Sequence, residues 1–165
     1  MRLSEWRKSA QGQKVMTGKV AAALEPALAG LGATADPEAY VVWGDDPDLR
    51  YLVMAATPAG LAVINVRVNV PGEGPRAAGK LVRWARVQLG DLTTEAHHEH
   101  RYVTTQLEGA ILQGADDAAD QVTDWITTVY DHIDGRAGQA GRGEAGAGSG
   151  STSGSKSRAP ARAAG

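Results

Sequence analysis

Cysteine is absent from all 165 residues. Its absence excludes disulfides, thiolate nucleophiles and cysteine-ligated zinc. Phenylalanine is absent as well. Long apolar runs are also lacking. Near the N-terminus the longest is Val20–Leu24, and Glu25-Pro26 ends it. That is too short for a signal-peptide core or a membrane span. The expectation is a cytoplasmic protein with no membrane span.

From Gly135 to Gly165 there is no Val, Leu, Ile or aromatic residue, only Gly, Ala and Ser with scattered polar residues and a proline. Such a segment has nothing to bury against its ordering entropy. Residues 1–134 are therefore expected to form a single domain and 135–165 a disordered tail. Charge divides at the same point. Arg136, Arg142, Lys156, Arg158 and Arg162 against Glu144 leave the tail at +4, and because the whole chain is at −2, residues 1–134 sit at −6. An acidic domain is a poor partner for phosphate backbones or anionic lipid, so nucleic-acid contacts are expected only weakly, through the tail. Arginine outnumbers lysine 12 to 5. With abundant Ala and Gly, this is the composition of a protein from a GC-rich bacterial genome.

Ser4 is placed to cap a helix starting near Glu5. Val20, Leu24, Leu28 and Leu31 follow on one helical face, with Pro26 expected to kink or divide the helix. Strands are expected at Tyr40–Trp43, Arg50–Thr57 and Leu61–Val70. Thr57-Pro58-Ala59-Gly60 carries the signature of a tight turn. In the third strand Ala62, Ile64, Val66, Val68 and Val70 alternate with Asn65, Arg67 and Asn69, which predicts a sheet covered on one side only.

Between Pro75 and Gly90, Arg76, Lys80, Arg83 and Arg86 recur at spacings of four, three and three. With Ala77, Ala78, Leu81, Val82, Ala85 and Leu89 as an apolar stripe, the spacing predicts a helix over 75–89. Leu92–Ala96 and Arg101–Leu107 read as a hairpin around His97-His98-Glu99-His100, with Ala110–Leu112 extending its second strand past Gly109. Asp116, Asp117 and Asp120 favour the start of a last helix, whose buried face is Val122, Trp125, Ile126, Val129 and Ile133. The expected fold class is α+β, an antiparallel sheet with helices in the order α-β-β-β-α-β-β-α.

Few residues suggest chemistry. Gly74-Pro75-Arg76-Ala77-Ala78-Gly79-Lys80 spells a phosphate-binding loop, but Leu81 stands where a metal-binding hydroxyl belongs and Pro75 removes an amide. A plain loop into a surface helix is the expectation. His98 and His100, with Glu95 and Glu99 nearby, are the weak candidates for a metal site; a solvated hairpin tip accounts for the same residues. Gly44-Asp45-Asp46-Pro47-Asp48 lacks a calcium loop's alternating ligands and reads as a turn. A basic N-terminal segment with Leu3 and Trp6 is a further weak candidate for an anionic surface. No catalytic or cofactor-binding residue is assigned, and no cofactor is expected. Leu81, Arg83, Trp84 and Leu89 on the expected helix are the candidate contacts for a protein partner, since Trp84 lies at a stripe edge flanked by arginines.

The expected element order, with Leu81–Gly90 passing from helix into the next strand, resembles the YbjN-like and type III secretion chaperone-like proteins of bacteria. That resemblance implies a small non-enzymatic homodimer that binds other polypeptides. A second resemblance, to pleckstrin-homology-like domains, rests on Ala115 followed by Trp125-Ile126 in a terminal helix. It implies a binding module in which Leu81–Gln88 is a strand. In that family lipid headgroups are held by basic residues between the first two strands. The corresponding turn here is Asp45-Asp46-Pro47-Asp48, so phosphoinositide binding does not carry over.

Overall fold

The structure, a computed structural model, describes residues 1–43, 50–69 and 71–137. The acidic turn at 44–48 and all but the first residues of the tail lie outside them. The fold is α+β. Helices α1 (Leu3–Lys8), α2 (Ala10–Val15) and α3 (Gly18–Gly30) precede strands β1 (Ala39–Trp43), β2 (Arg50–Thr57), β3 (Gly60–Arg67) and β4 (Arg76–Arg83). After a 3-10 turn at Trp84–Arg86 come β5 (Thr93–His97), β6 (His100–Leu107), β7 (Ala110–Ala115) and helix α4 (Asp117–Ile133). The strands form two antiparallel sheets, β1-β2-β3-β4 and β5-β6-β7.

The N-terminal segment is three helices rather than one. Ser9 and Thr17 are extended, and their hydroxyls accept from Gly12 N–H at 3.0 Å and Val20 N–H at 3.4 Å. Each hydroxyl caps a new helix and so ends the one before it. Pro26 lies inside α3 without dividing it. Ser4 is not the cap of α1. It stands one residue inside, where its N–H and hydroxyl both donate to the Asp36 carboxylate at 2.8 Å.

The first sheet is covered on both faces. Val20, Leu24 and Leu28 of α3 pack with Val53, Ala55, Ala62, Ile64 and Val66 on one side. On the other, Met54, Leu61 and Val63 meet Val103, Leu107 and Leu112 of the second sheet and Val122, Trp125, Ile126 and Val129 of α4. Only the outer part of β3 keeps the expected wet face: Asn65 and Arg67 are exposed, while Leu61 and Val63 on the same face are buried.

Residues 75–89 are not a helix. Arg76–Arg83 is an edge strand, paired with β3 from Arg67↔Arg76 to Gly60↔Arg83. The strand ends at Arg83 and the chain turns through Trp84–Arg86, so Arg83 and Arg86 need not share one strand face. Arg76 and Lys80 share a face of a strand as readily as of a helix, and most of this edge strand is exposed or half-buried. Gln88–Gly90 then joins the second sheet, with Gly90 N–H donating to Gln106 O at 2.8 Å. Trp84–Leu89 thus carries the chain between the sheets.

Two further corrections concern the C-terminal half. Ala110–Leu112 does not extend β6. It begins a separate strand, turned back at Glu108-Gly109, both at positive φ (51° and 80°). Two such residues make the two-residue hairpin turn that matches strand twist. Ile133 at the end of α4 is 37% exposed rather than core. Val122, Trp125, Ile126 and Val129 are buried as expected. No helix among the described residues is long and apolar enough to cross a membrane.

Candidate functional site

An open groove of about 690 Å³ lies where the β2–β3 turn, the 3-10 turn and the end of α4 meet the N-terminal segment. Its centre is Trp84. The indole lies on the His132 imidazole with centroids 4.4 Å apart and planes 6° from parallel. Trp84 Nε1–H donates to Thr57 O at 3.0 Å. Thr57 itself is fixed by the two-residue hairpin turn: its hydroxyl donates to Gly60 O at 2.8 Å and accepts from Ala59 and Gly60 N–H. The turn predicted from Pro58 and Gly60 therefore supplies the acceptor that orients the indole. On the other side, the α4 face that buries Trp125, Ile126 and Val129 carries His132 to the groove.

Charge around the groove is mixed, with Arg2 and Arg136 facing Glu38 and Asp131. Burial lowers the His132 pKa below its ordinary value, and the carboxylates of Glu38 and Asp131 partly oppose that shift. Neither ring nitrogen of His132 has a hydrogen-bond partner among the described residues. The groove thus offers a flat aromatic surface, a neutral imidazole with free polar atoms, and charges of both signs.

The four residues expected to form one partner-binding helical face are not brought together. Leu81 is half-buried in β4 on the α3 side, Arg83 is exposed at the strand end, and Trp84 and Leu89 pack against the second core. Only Trp84 reaches the groove. His132 was not singled out from sequence. It follows Val129 by three residues on α4 and, continuing the buried stripe toward the helix end, could have been flagged by that spacing.

The hairpin-tip histidines are placed apart from this groove. His98 and Glu99 are the two turn residues, at φ 47° and 67°. His97 and His98 touch edge to face at 3.9 Å. His100 is instead paired with Asp116, Nδ1 to Oδ2 at 2.7 Å. No group of three or more potential ligands among the described residues is arranged to hold a metal ion. Lys80, the lysine of the phosphate-loop spelling, lies within β4 and is ion-paired to Glu108 at 3.3 Å, so no helix follows the glycines. No protein-family model matches the sequence, and no curated protein or solved structure is found to be similar to the chain.

Proposed function

We propose that this chain is a non-enzymatic binding module that holds a polypeptide segment in the groove beside Trp84 and His132. The observation that carries the reading is the stacked pair itself. It is an aromatic surface held rigid by the Thr57 carbonyl, left open to solvent, and rimmed by balanced charge. Extended peptides present apolar side chains together with unpaired backbone donors and acceptors, which suits a flat ring with free imidazole nitrogens beside it. Among the described residues, the strand at 76–83, with seven strands in two sheets and a helix carrying Trp125 into the core, favours the pleckstrin-homology-like resemblance in part: Leu81–Arg83 are strand, but the chain turns at Trp84–Arg86 where that resemblance implies a strand running on to Gln88. The chaperone-like one relies on a helix there.

Selection of a random-peptide display library on the purified chain tests the reading, followed by amide shift mapping of the selected peptides. Peptides that shift residues around Trp84 and His132, and no longer bind Trp84→Phe/His132→Ala, are expected. Peptides that map elsewhere, or a library without binders, would refute it. The homodimer belongs to the same test. A concentration-dependent dimer in sedimentation, lost in His132→Ala, would make a second copy the occupant.

A further inference from the structure

The register of the first sheet places Arg50 opposite Arg67 and Arg67 opposite Arg76. Directly paired residues on neighbouring strands share a face. Three arginines therefore form a row across β2, β3 and β4. With strands about 4.8 Å apart, the row spans roughly 10 Å. All three are exposed, and none has a hydrogen-bond or ion-pair partner among the described residues. They line a shallow concavity of about 410 Å³, together with Asn65, Val66 and Ala78. On this face Leu61 and Val63 are buried in the second core, while Asn65 and Arg67 beyond them are exposed. Asn65, two residues before Arg67, and Ala78, two after Arg76, lie on this face and are paired with each other. The small Ala78 side chain leaves the dent.

Like charges directly opposite one another destabilise a sheet, and here the opposition occurs twice in succession. Elsewhere on the same face the protein neutralises its cation: Lys80, four residues along β4 from Arg76, is paired with Glu108. Among the described residues the arginine row has no such counterpart, although residues 1–134 carry a net negative charge. We propose that the row is a binding site for a small soluble anion carrying two or more phosphate groups. Guanidinium groups bind phosphate oxygens through paired N–H donors, and three on adjacent strands present donors at a spacing that one diphosphate can bridge. Asn65 adds an amide at the inner end. The site is separate from the Trp84 groove and does not rest on the peptide-binding reading.

Titration calorimetry of the full chain with inorganic diphosphate, at about 0.15 M salt, tests the proposal. Saturable binding is expected, weakened about ten- to hundredfold by Arg67→Gln, because charge-assisted hydrogen bonds to the central arginine are lost. Without diphosphate, Arg67→Gln is expected to unfold at the same or a higher temperature than the natural sequence, since it removes both like-charge oppositions. A loss of binding would then not reflect misfolding. Should that variant prove less stable, Arg50→Gln and Arg76→Gln at the ends of the row carry the same comparison. Arg86→Gln, an exposed arginine of the 3-10 turn, should leave affinity unchanged. Absence of saturable binding, affinity that survives in all three row variants, or an equal loss in Arg86→Gln would overturn the proposal. Phosphatidylcholine vesicles containing phosphatidic acid form the other arm. Binding to these but not to free diphosphate would assign the phosphate chemistry to a lipid and overturn the soluble ligand.

Discussion

Trp84 lies flat on His132, one ring from the crossover between the sheets and the other from the last turn of the closing helix. The pair joins segments 48 residues apart and closes the floor of the groove. Removing either ring should be felt in stability as well as in binding. Trp84→Ala deletes a half-buried indole, its stack and its bond to Thr57 O. Buried tryptophan truncations cost about 3–5 kcal/mol, so a half-buried one is expected to cost about 2–4 kcal/mol in urea denaturation. Trp84→Phe keeps a ring on His132 and loses the Nε1–H bond and part of the indole's contact with the second core, for about 1–2 kcal/mol. Equal losses in the two variants would show that the ring contact contributes little.

The same stack makes a pH prediction. Burial lowers the His132 pKa, with Glu38 and Asp131 opposing. The folded chain therefore binds a proton at His132 less readily than the unfolded chain does. Where the unfolded histidine is protonated and the folded one is not, stability rises with pH. The contribution is complete above about pH 6.5 and declines as pH falls from there toward the depressed folded value. Thermal unfolding between pH 5 and 8 should show a midpoint that drops on acidification. His132→Phe, which keeps a ring on Trp84, should flatten that drop. An unchanged slope in the variant would place the pH sensitivity elsewhere.

At the other end of α4 a second depressed group acts in the same direction, at lower pH. Hydrogen bonds from the His100 ring and from the Arg101 backbone N–H hold the Asp116 carboxyl below its usual range, with the Arg101 charge a smaller contributor. A depressed carboxylate contributes stability that is present above its unfolded pKa, near 3.8, and lost as pH falls through the folded value. Asp116→Asn should therefore weaken the acid dependence below about pH 4. Asparagine is nearly isosteric with aspartate, so the backbone geometry at this position (φ 52°, ψ −116°) is common to both and does not confound the comparison. The check is acid unfolding followed by circular dichroism. A variant with the same acid midpoint and slope would refute the linkage.

Strand β2 was legible to the residue, because Tyr51–Ala56 is an unbroken apolar run and the Thr57–Gly60 turn follows it. The buried face of α4 was legible from its helical spacing. Residues 75–89 misled because an edge strand in solvent need not alternate, and because i, i+4 charges align on a strand as on a helix. Gly79 in the middle of the expected helix was a signal against it. Glu108-Gly109 was a hairpin turn read as an irregularity. The seat of Trp84 could not be read at all: its hydrogen-bond acceptor lies 27 residues away in sequence. Likewise, Arg50, Arg67 and Arg76 are three ordinary surface charges until strand register lines them up.

Two glycines of the N-terminal helices should respond in opposite directions to the same substitution. Both Gly12 in α2 and Gly18 in α3 are helical, so replacement by alanine gains up to about 1 kcal/mol from lower backbone entropy in the unfolded chain. At Gly18 nothing lies within 4 Å of the added Cβ, and the gain should appear in full as a higher denaturation midpoint. At Gly12 the Cβ would sit 2.1 Å from the Trp6 carbonyl oxygen and 2.9 Å from the Arg7 Cα. Those are backbone atoms, which cannot rotate away, so α1 must move off α2. Trp6 is 7% exposed and packs with Tyr51 in the first core, so that movement disturbs packing as well. Overpacking of this kind costs about 1–3 kcal/mol, more than the propensity gain. Gly12→Ala is therefore expected to destabilise and Gly18→Ala to stabilise. Matching shifts of one sign in the two urea curves would mean that the close crossing of α1 and α2 does not constrain the fold.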